Sequence, residues 1–238
     1  MKRLLLLIAV MQALFLSCSV KQNMELSADS SGVVSLNVSL HPIFRNYLID
    51  ISDILVENPN DQVLFDIETI KSTIADRKGL TLLAIDNPDR DTLELSVKFD
   101  DVENVVTKYE AEDVLTLTKI GGTNILDFHL TASNFRDLLT IAALDDSPLI
   151  EPFGPSATAP WDEDEYLENV SYALEEYGPL AEITAMFKDA EIDAAVTVKG
   201  KIISQKGGKI SGDKVIFKIP LLRVLTLTSP LDLQIQYR

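Results

Sequence analysis

VSLNVSLHPIFRNYLIDISDI, residues 34–54, carries both building blocks of the fold in one run. Val34, Leu36, Val38 and Leu40 alternate with Ser35, Asn37 and Ser39. A period of two puts one face of a strand on a core and the other in water, as in an antiparallel sheet. After His41 the period changes. Pro42 suits a first helical turn, where its missing amide has no partner to lose, and Ile43, Tyr47, Ile51, Ile54 and Leu55 recur at three- and four-residue spacing. The helix is predicted to end near Asn58-Pro59.

Upstream, Met24-Glu25-Leu26 reads as a strand entering a turn at Asp29, Ser30, Ser31 and Gly32, where short polar side chains bond locally and glycine tolerates positive φ. Downstream, a helix is expected from about Gln62 to Lys78, closed by Arg77, Lys78 and Gly79. Hairpins follow, each ahead of a helix. Leu80 to Ile85 turns at Asp86 to Arg90 and returns through Leu93, Leu95, Val97 and Phe99, before a helix with Val102, Val105 and Val106. Val114 to Ile120 turns at Gly121-Gly122 and returns through Leu126, Phe128 and Leu130, before a helix with Phe135, Leu138, Leu139 and Ala142. Ile192 to Ile203, a turn within Gly207 to Gly212, and Val215, Phe217 and Ile219 precede an apolar turn at Leu221 to Leu225. Leu231, Leu233, Ile235 and Tyr237 form a last strand. The expected class is α+β, an antiparallel sheet built from β-hairpins each followed by a helix packed on one face. A duplicated unit and a common solution to covering a sheet both fit this plan.

The N-terminus reads differently. MKRLLLLIAVMQALFLSC, residues 1–18, has Lys2 and Arg3, then an apolar run from Leu4 to Leu16, then the only cysteine of the chain. Such a run is too short to span a bilayer, which takes about 20 residues, and fits the apolar region of an export signal. Leu14-Phe15-Leu16-Ser17-Cys18 resembles the lipobox of bacterial lipoproteins, with Phe15 in place of the usual leucine as in relaxed spirochaete lipoboxes. That resemblance implies cleavage of residues 1–17, acylation of Cys18 (palmitate or a related chain), and membrane attachment in the bacterial cell envelope on the periplasmic or surface side. Residues 18–22 are then the lipidated N-terminus and a short spacer, and 23–238 the body. The run through Met24-Glu25-Leu26-Ser27-Ala28-Asp29 to Ser31-Gly32-Val33-Val34 also resembles the first hairpin of LppM-type and related lipoproteins, with Ser30 where that pattern has glycine. This implies an envelope lipoprotein with an α+β domain and contact with lipid or glycolipid, and it supplies no catalytic residue.

Charge narrows the partners. The chain carries 21 Lys and Arg against 37 Asp and Glu, a net −16 that becomes −18 once Lys2 and Arg3 are removed. Such a surface repels phosphate backbones, so nucleic acid is not an expected partner, and attachment has to come from acyl chains instead of a basic patch. One cysteine allows no internal disulfide. No cofactor is expected.

The segment from Asp145 to Pro179 breaks the plan, with Pro148, Pro152, Pro155 and Pro160 in DDSPLIEPFGPSATAP. Phe153, Trp161, Tyr166, Tyr172 and Tyr177 gather there, and Phe153, Trp161 and Tyr166 are the candidate contact surface for a protein or an apolar ligand; anchoring the segment to the core is the alternative. Asp162, Glu163, Asp164 and Glu165 open a helix, where the dipole favours carboxylates. Calcium at Asp162 and Asp164, or at Asp86, Asp89 and Asp91, is weaker, because neither stretch has the glycine and closing glutamate of an EF-hand loop, and no metal site is expected. His41 and His129 are the only histidines, His129 pointing to the polar side of its strand, and no nucleophile elbow, phosphate loop or zinc-protease motif occurs. The expectation is a non-catalytic binding or scaffolding body. A lipid carrier, or a hydrolase working through two carboxylates, are the alternatives.

Overall fold

The computed structural model describes residues 17–55, 65–109, 111–141, 153–156 and 161–238. The predicted helix end at Asn58-Pro59, the helix start at Gln62, Ala142, and Pro148, Pro152 and Pro160 lie outside the described residues, as does the apolar run up to Leu16. In chain order the elements are β1 (Ser17–Leu26), β2 (Gly32–Leu40), α1 (Pro42–Leu55), α2 (Ile67–Ala75), β3 (Leu80–Asp89), β4 (Thr92–Phe99), α3 (Val102–Lys108), β5 (Leu115–Ile120), β6 (Thr123–Leu130) and α4 (Phe135–Ile141). Then come α5 (Glu163–Leu174), α6 (Leu180–Asp189), β7 (Glu191–Val198), β8 (Ile202–Lys206), β9 (Lys209–Ser211), β10 (Lys214–Pro220), α7 (Leu221–Thr226) and β11 (Leu231–Tyr237).

The α+β class and the hairpin-then-helix order stand, with two refinements. The strands divide into a seven-stranded sheet, β3-β4-β2-β1-β7-β10-β9, and a four-stranded one, β5-β6-β11-β8. The pair at the centre of the larger sheet, β1 and β7, is parallel. Parallel partners far apart in sequence leave no hairpin signal to read. The expected strand Ile192 to Ile203 is two strands: β7 stops at Val198, and β8 pairs with β11 in the smaller sheet. The chain returns to the larger sheet between β8 and β9, through Gly207 and Gly208. Gly207 has φ +84, and a Cβ there would stand 2.6 Å from Leu233 of one sheet, while a Cβ on Gly208 would stand 2.7 Å from Phe217 of the other.

Alternation works as read in β2 of the larger sheet. Val38 and Leu40 are buried, while on the opposite face Ser35 bonds Ser96 at 3.0 Å, Asn37 donates to Glu94 at 2.8 Å and Ser39 bonds Thr92 at 3.2 Å. α1 starts as expected at Pro42, capped by His41, whose Nδ1 accepts from the Ile43 amide at 3.3 Å. α2 is shorter than expected, because Asp66 caps it by accepting from Glu68 and Thr69. β3 runs through Asn87 and Pro88 where a turn was expected. It is an edge strand, so the amide that Pro88 lacks costs no ladder bond.

The first hairpin also differs in detail. Ser30, at φ +68, takes the left-handed position, and the Asp29 carboxylate accepts from the Ser31 amide at 3.2 Å and its hydroxyl at 2.7 Å. Gly32 is needed for a different reason: a Cβ there would lie 2.1 Å from the Glu25 carbonyl and 2.4 Å from the Phe99 ring.

Residues 19–22, expected in a spacer, lie inside β1, with Ser19 opposite Ser39 on one side and Glu191 on the other. A segment bonded on both sides is not a tether. One helix escaped the sequence reading altogether. α6 follows Pro179 directly and turns Ile183, Met186 and Phe187 into the core at three- and four-residue spacing, a short pattern that abuts the acidic segment.

Candidate contact site

α5 is the element on which the aromatic candidates converge. Asp162 caps it by accepting from the amides of Asp164 and Glu165, and the Glu165 side chain accepts from the Asp162 amide at 3.3 Å, a complete capping box. The carboxylates at its start thus have a structural use. Tyr166, Leu167, Val170, Ser171 and Leu174 form its buried face. The opposite face, with Glu165, Glu168, Asn169 and Tyr172, borders Trp161 around an open groove of about 470 Å³.

Of the three residues expected on a contact surface, two are in the core. Phe153 is 2% exposed and Tyr166 1%. The Tyr166 hydroxyl donates to the Phe153 carbonyl at 3.0 Å, and burial pushes its phenol far above the ordinary tyrosine range. Phe153 meets Phe44 and Tyr47 edge-on, at 5.7 and 5.5 Å between centroids, and Tyr47 meets Tyr177 the same way at 5.6 Å. Large apolar rings beside a helix gain more by burial than by exposure, so these two fix the described residues 153–156 to the core. Trp161 is half-buried, 6.2 Å from the Tyr166 ring, and lines the groove. Tyr172 is 77% exposed and completes it. Its position seven residues after Glu165 and three after Asn169, on the polar stripe of the helix, was the signal that could have separated it from Tyr166.

The calcium alternatives are built otherwise. Asp89 accepts from the Asp91 amide at 2.8 Å, and Asp91 pairs with Arg45 at 2.8 Å. Among the described residues, no group of three or more His, Cys, Asp or Glu side chains is placed to hold a metal.

The smaller sheet brings together residues that the sequence reading left apart. On its exposed side His129 Nδ1 lies 2.6 Å from Asp232, which also pairs with Lys206 at 3.0 Å. These bonds, that to His129 first, hold the Asp232 carboxyl below the usual carboxylate range. No hydroxyl or thiol bonds the His129 ring among the described residues, so the pair has the orienting half of a triad without a nucleophile. A second groove, of about 310 Å³, lies beside it, between Lys206, Lys218, Arg223 and Asp232. Cys18 stands in β1, next to the register shift between Ser17 and Ser19. No helix among the described residues is long and apolar enough to cross a membrane.

No family model matches the chain, and no curated protein matches it. Among solved structures it is similar to the folded domain of the Mycobacterium tuberculosis LppM protein, at 12% identity and a TM-score of 0.40, over 92% of this chain and 88% of that one.

Proposed function

We propose that the chain is a lipid-anchored protein of the bacterial cell envelope whose body binds or scaffolds and does not catalyse. The observation that carries this reading is the place where the fold begins. The apolar leader ends at Leu16, and β1 starts at Ser17, one residue before the lone cysteine. A cleaved and acylated Cys18 is then the first residue of a strand at the centre of a seven-stranded sheet. Two or more acyl chains hold a protein stably where one is marginal, at about 0.8 kcal/mol per buried CH₂. With Ser19 already paired on both sides, the body sits directly on the membrane without a tether. Metabolic labelling with radioactive palmitate tests attachment: the label enters the wild-type chain and is absent from Cys18→Ala. Equal labelling of both overturns the reading.

For the body, the α5 groove with Trp161 is the surface this reading assigns to contact. The grounds for a binding role are that, beside half-buried Trp161, its lining is exposed side chain from a helix whose opposite face is fixed in the core.

A further inference from the structure

Positive charge is missing from one whole stretch of this chain. Residues 137–187 hold twelve of its 37 carboxylates and no Lys, Arg or His. The Trp161 groove lies inside that stretch. Its lining, Trp161, Glu165, Glu168, Asn169 and Tyr172, is a column of side chains at helical spacing, with an aromatic ring at each end and carboxylates between. Asn169 donates to the Glu165 carbonyl at 2.8 Å, which fixes its amide against the helix. Neither Glu165 nor Glu168 is in an ion pair among the described residues. Tyr172 exposes 77% of its surface on the outward face of α5, opposite the side that buries Tyr166.

We propose that this groove receives a Lys- or Arg-bearing segment of a partner protein. This rests on the reading of the body as a binding module and names the chemistry of what it binds. Ring faces attract an ammonium or guanidinium group, and carboxylates within the same groove complete its pairing while the alkyl stem lies along the aromatic surface. A hard metal ion gains nothing from the rings. A phosphate or an acidic peptide is repelled by Glu165, Glu168 and the net negative charge of the chain. The net charge of −16 also draws a basic segment from a distance and raises its association rate at low ionic strength.

Trp161 is the chain's only tryptophan, so its emission reports this groove directly. The full chain, in wild-type and Cys18→Ala forms, is titrated with a short peptide of alternating lysine and glycine, with its glutamate counterpart, and with maltoheptaose. The basic peptide is expected to change the emission saturably in both forms, with an affinity that falls as salt rises. Tyr172→Ala is expected to weaken it about tenfold, the size of a partly desolvated cation–ring contact, while Tyr172→Phe keeps most of it. Glu168→Gln is expected to weaken it about threefold. Both substitutions lie on the exposed face of α5, and circular dichroism checks that the fold survives. Unmoved emission overturns the proposal. So does equal affinity in wild type and Tyr172→Ala, which marks diffuse attraction to an acidic surface, or a response to maltoheptaose in place of the peptide. Peptide binding that leaves Trp161 unmoved and is indifferent to Tyr172 and Glu168 keeps the binding reading and removes this groove. Palmitate labelling tests attachment independently of all these outcomes.

Discussion

The Tyr166 hydroxyl donates a 3.0 Å hydrogen bond to the backbone carbonyl of Phe153, so a buried side chain on α5 holds the backbone at Phe153. Tyr166→Phe is expected to cost about 1–2 kcal/mol, because the carbonyl is left without its partner in the core. Urea unfolding followed by circular dichroism measures this, and an unchanged midpoint would sink the assignment. The same phenol predicts alkaline behaviour. Its folded pKa is raised by burial, so native Tyr166 keeps its proton where the unfolded chain releases it. Stability attributable to this group is therefore complete below about pH 10 and lost as pH rises beyond it, and Tyr166→Phe flattens that loss.

In the first turn, Ser30→Gly is expected to stabilise the fold by about 0.5–1 kcal/mol, since Ser30 occupies a left-handed conformation that glycine adopts without strain. Gly32→Ala should go the other way by about 1–3 kcal/mol, because the added methyl meets the Glu25 carbonyl and the Phe99 ring. Thermal melts of the two variants should bracket the wild type; a shift of both in one direction contradicts the geometry.

The exchange between sheets has its own test. Gly207→Ala and Gly121→Ala both place a side chain at positive φ, but only Gly207 has Leu233 in the way. Gly121→Ala should cost about 1 kcal/mol and Gly207→Ala about 2 kcal/mol or more, the difference being the packing clash. Denaturant curves for the pair decide it, equal costs being the adverse result.

For Asp232 the observable is a carboxyl titration followed by NMR. Its midpoint is expected below the ordinary aspartate value and should move back up in His129→Ala, because the bond to His129 is the largest cause of the shift. A depressed folded pKa means this contribution is present above the unfolded value and lost as pH falls through the folded one. Asp232 is exposed enough that the effect on overall stability stays small. A midpoint unmoved by His129→Ala would remove the pairing.

Local chemistry explains what could be read in advance. The alternation through Val34 to Leu40 needed only the geometry of one strand, and Pro42 needed only the missing partner at a helix start. The carboxylates from Asp162 to Glu165 marked a helix start for the same reason, because the dipole acts within one turn, while the capping box itself came from the structure. The contact residues were legible only as a group. Trp161 lines the groove, but Phe153 and Tyr166 face inward, a choice set by Phe44, Tyr47 and Phe187, which stand far from them in sequence.

By itself, then, the chain determined its α+β class, its hairpin-and-helix order, its acidity and the position of its lone cysteine after an apolar run. Each follows from spacing or from residue type within a few positions. Tertiary structure alone decided the parallel pairing of β1 with β7, the division into two sheets across Gly207 and Gly208, the meeting of His129 with Asp232, and which aromatics of one segment are core and which line a groove. Those relationships join residues between about ten and 170 positions apart, and they are fixed by burial and close packing, which no local period encodes.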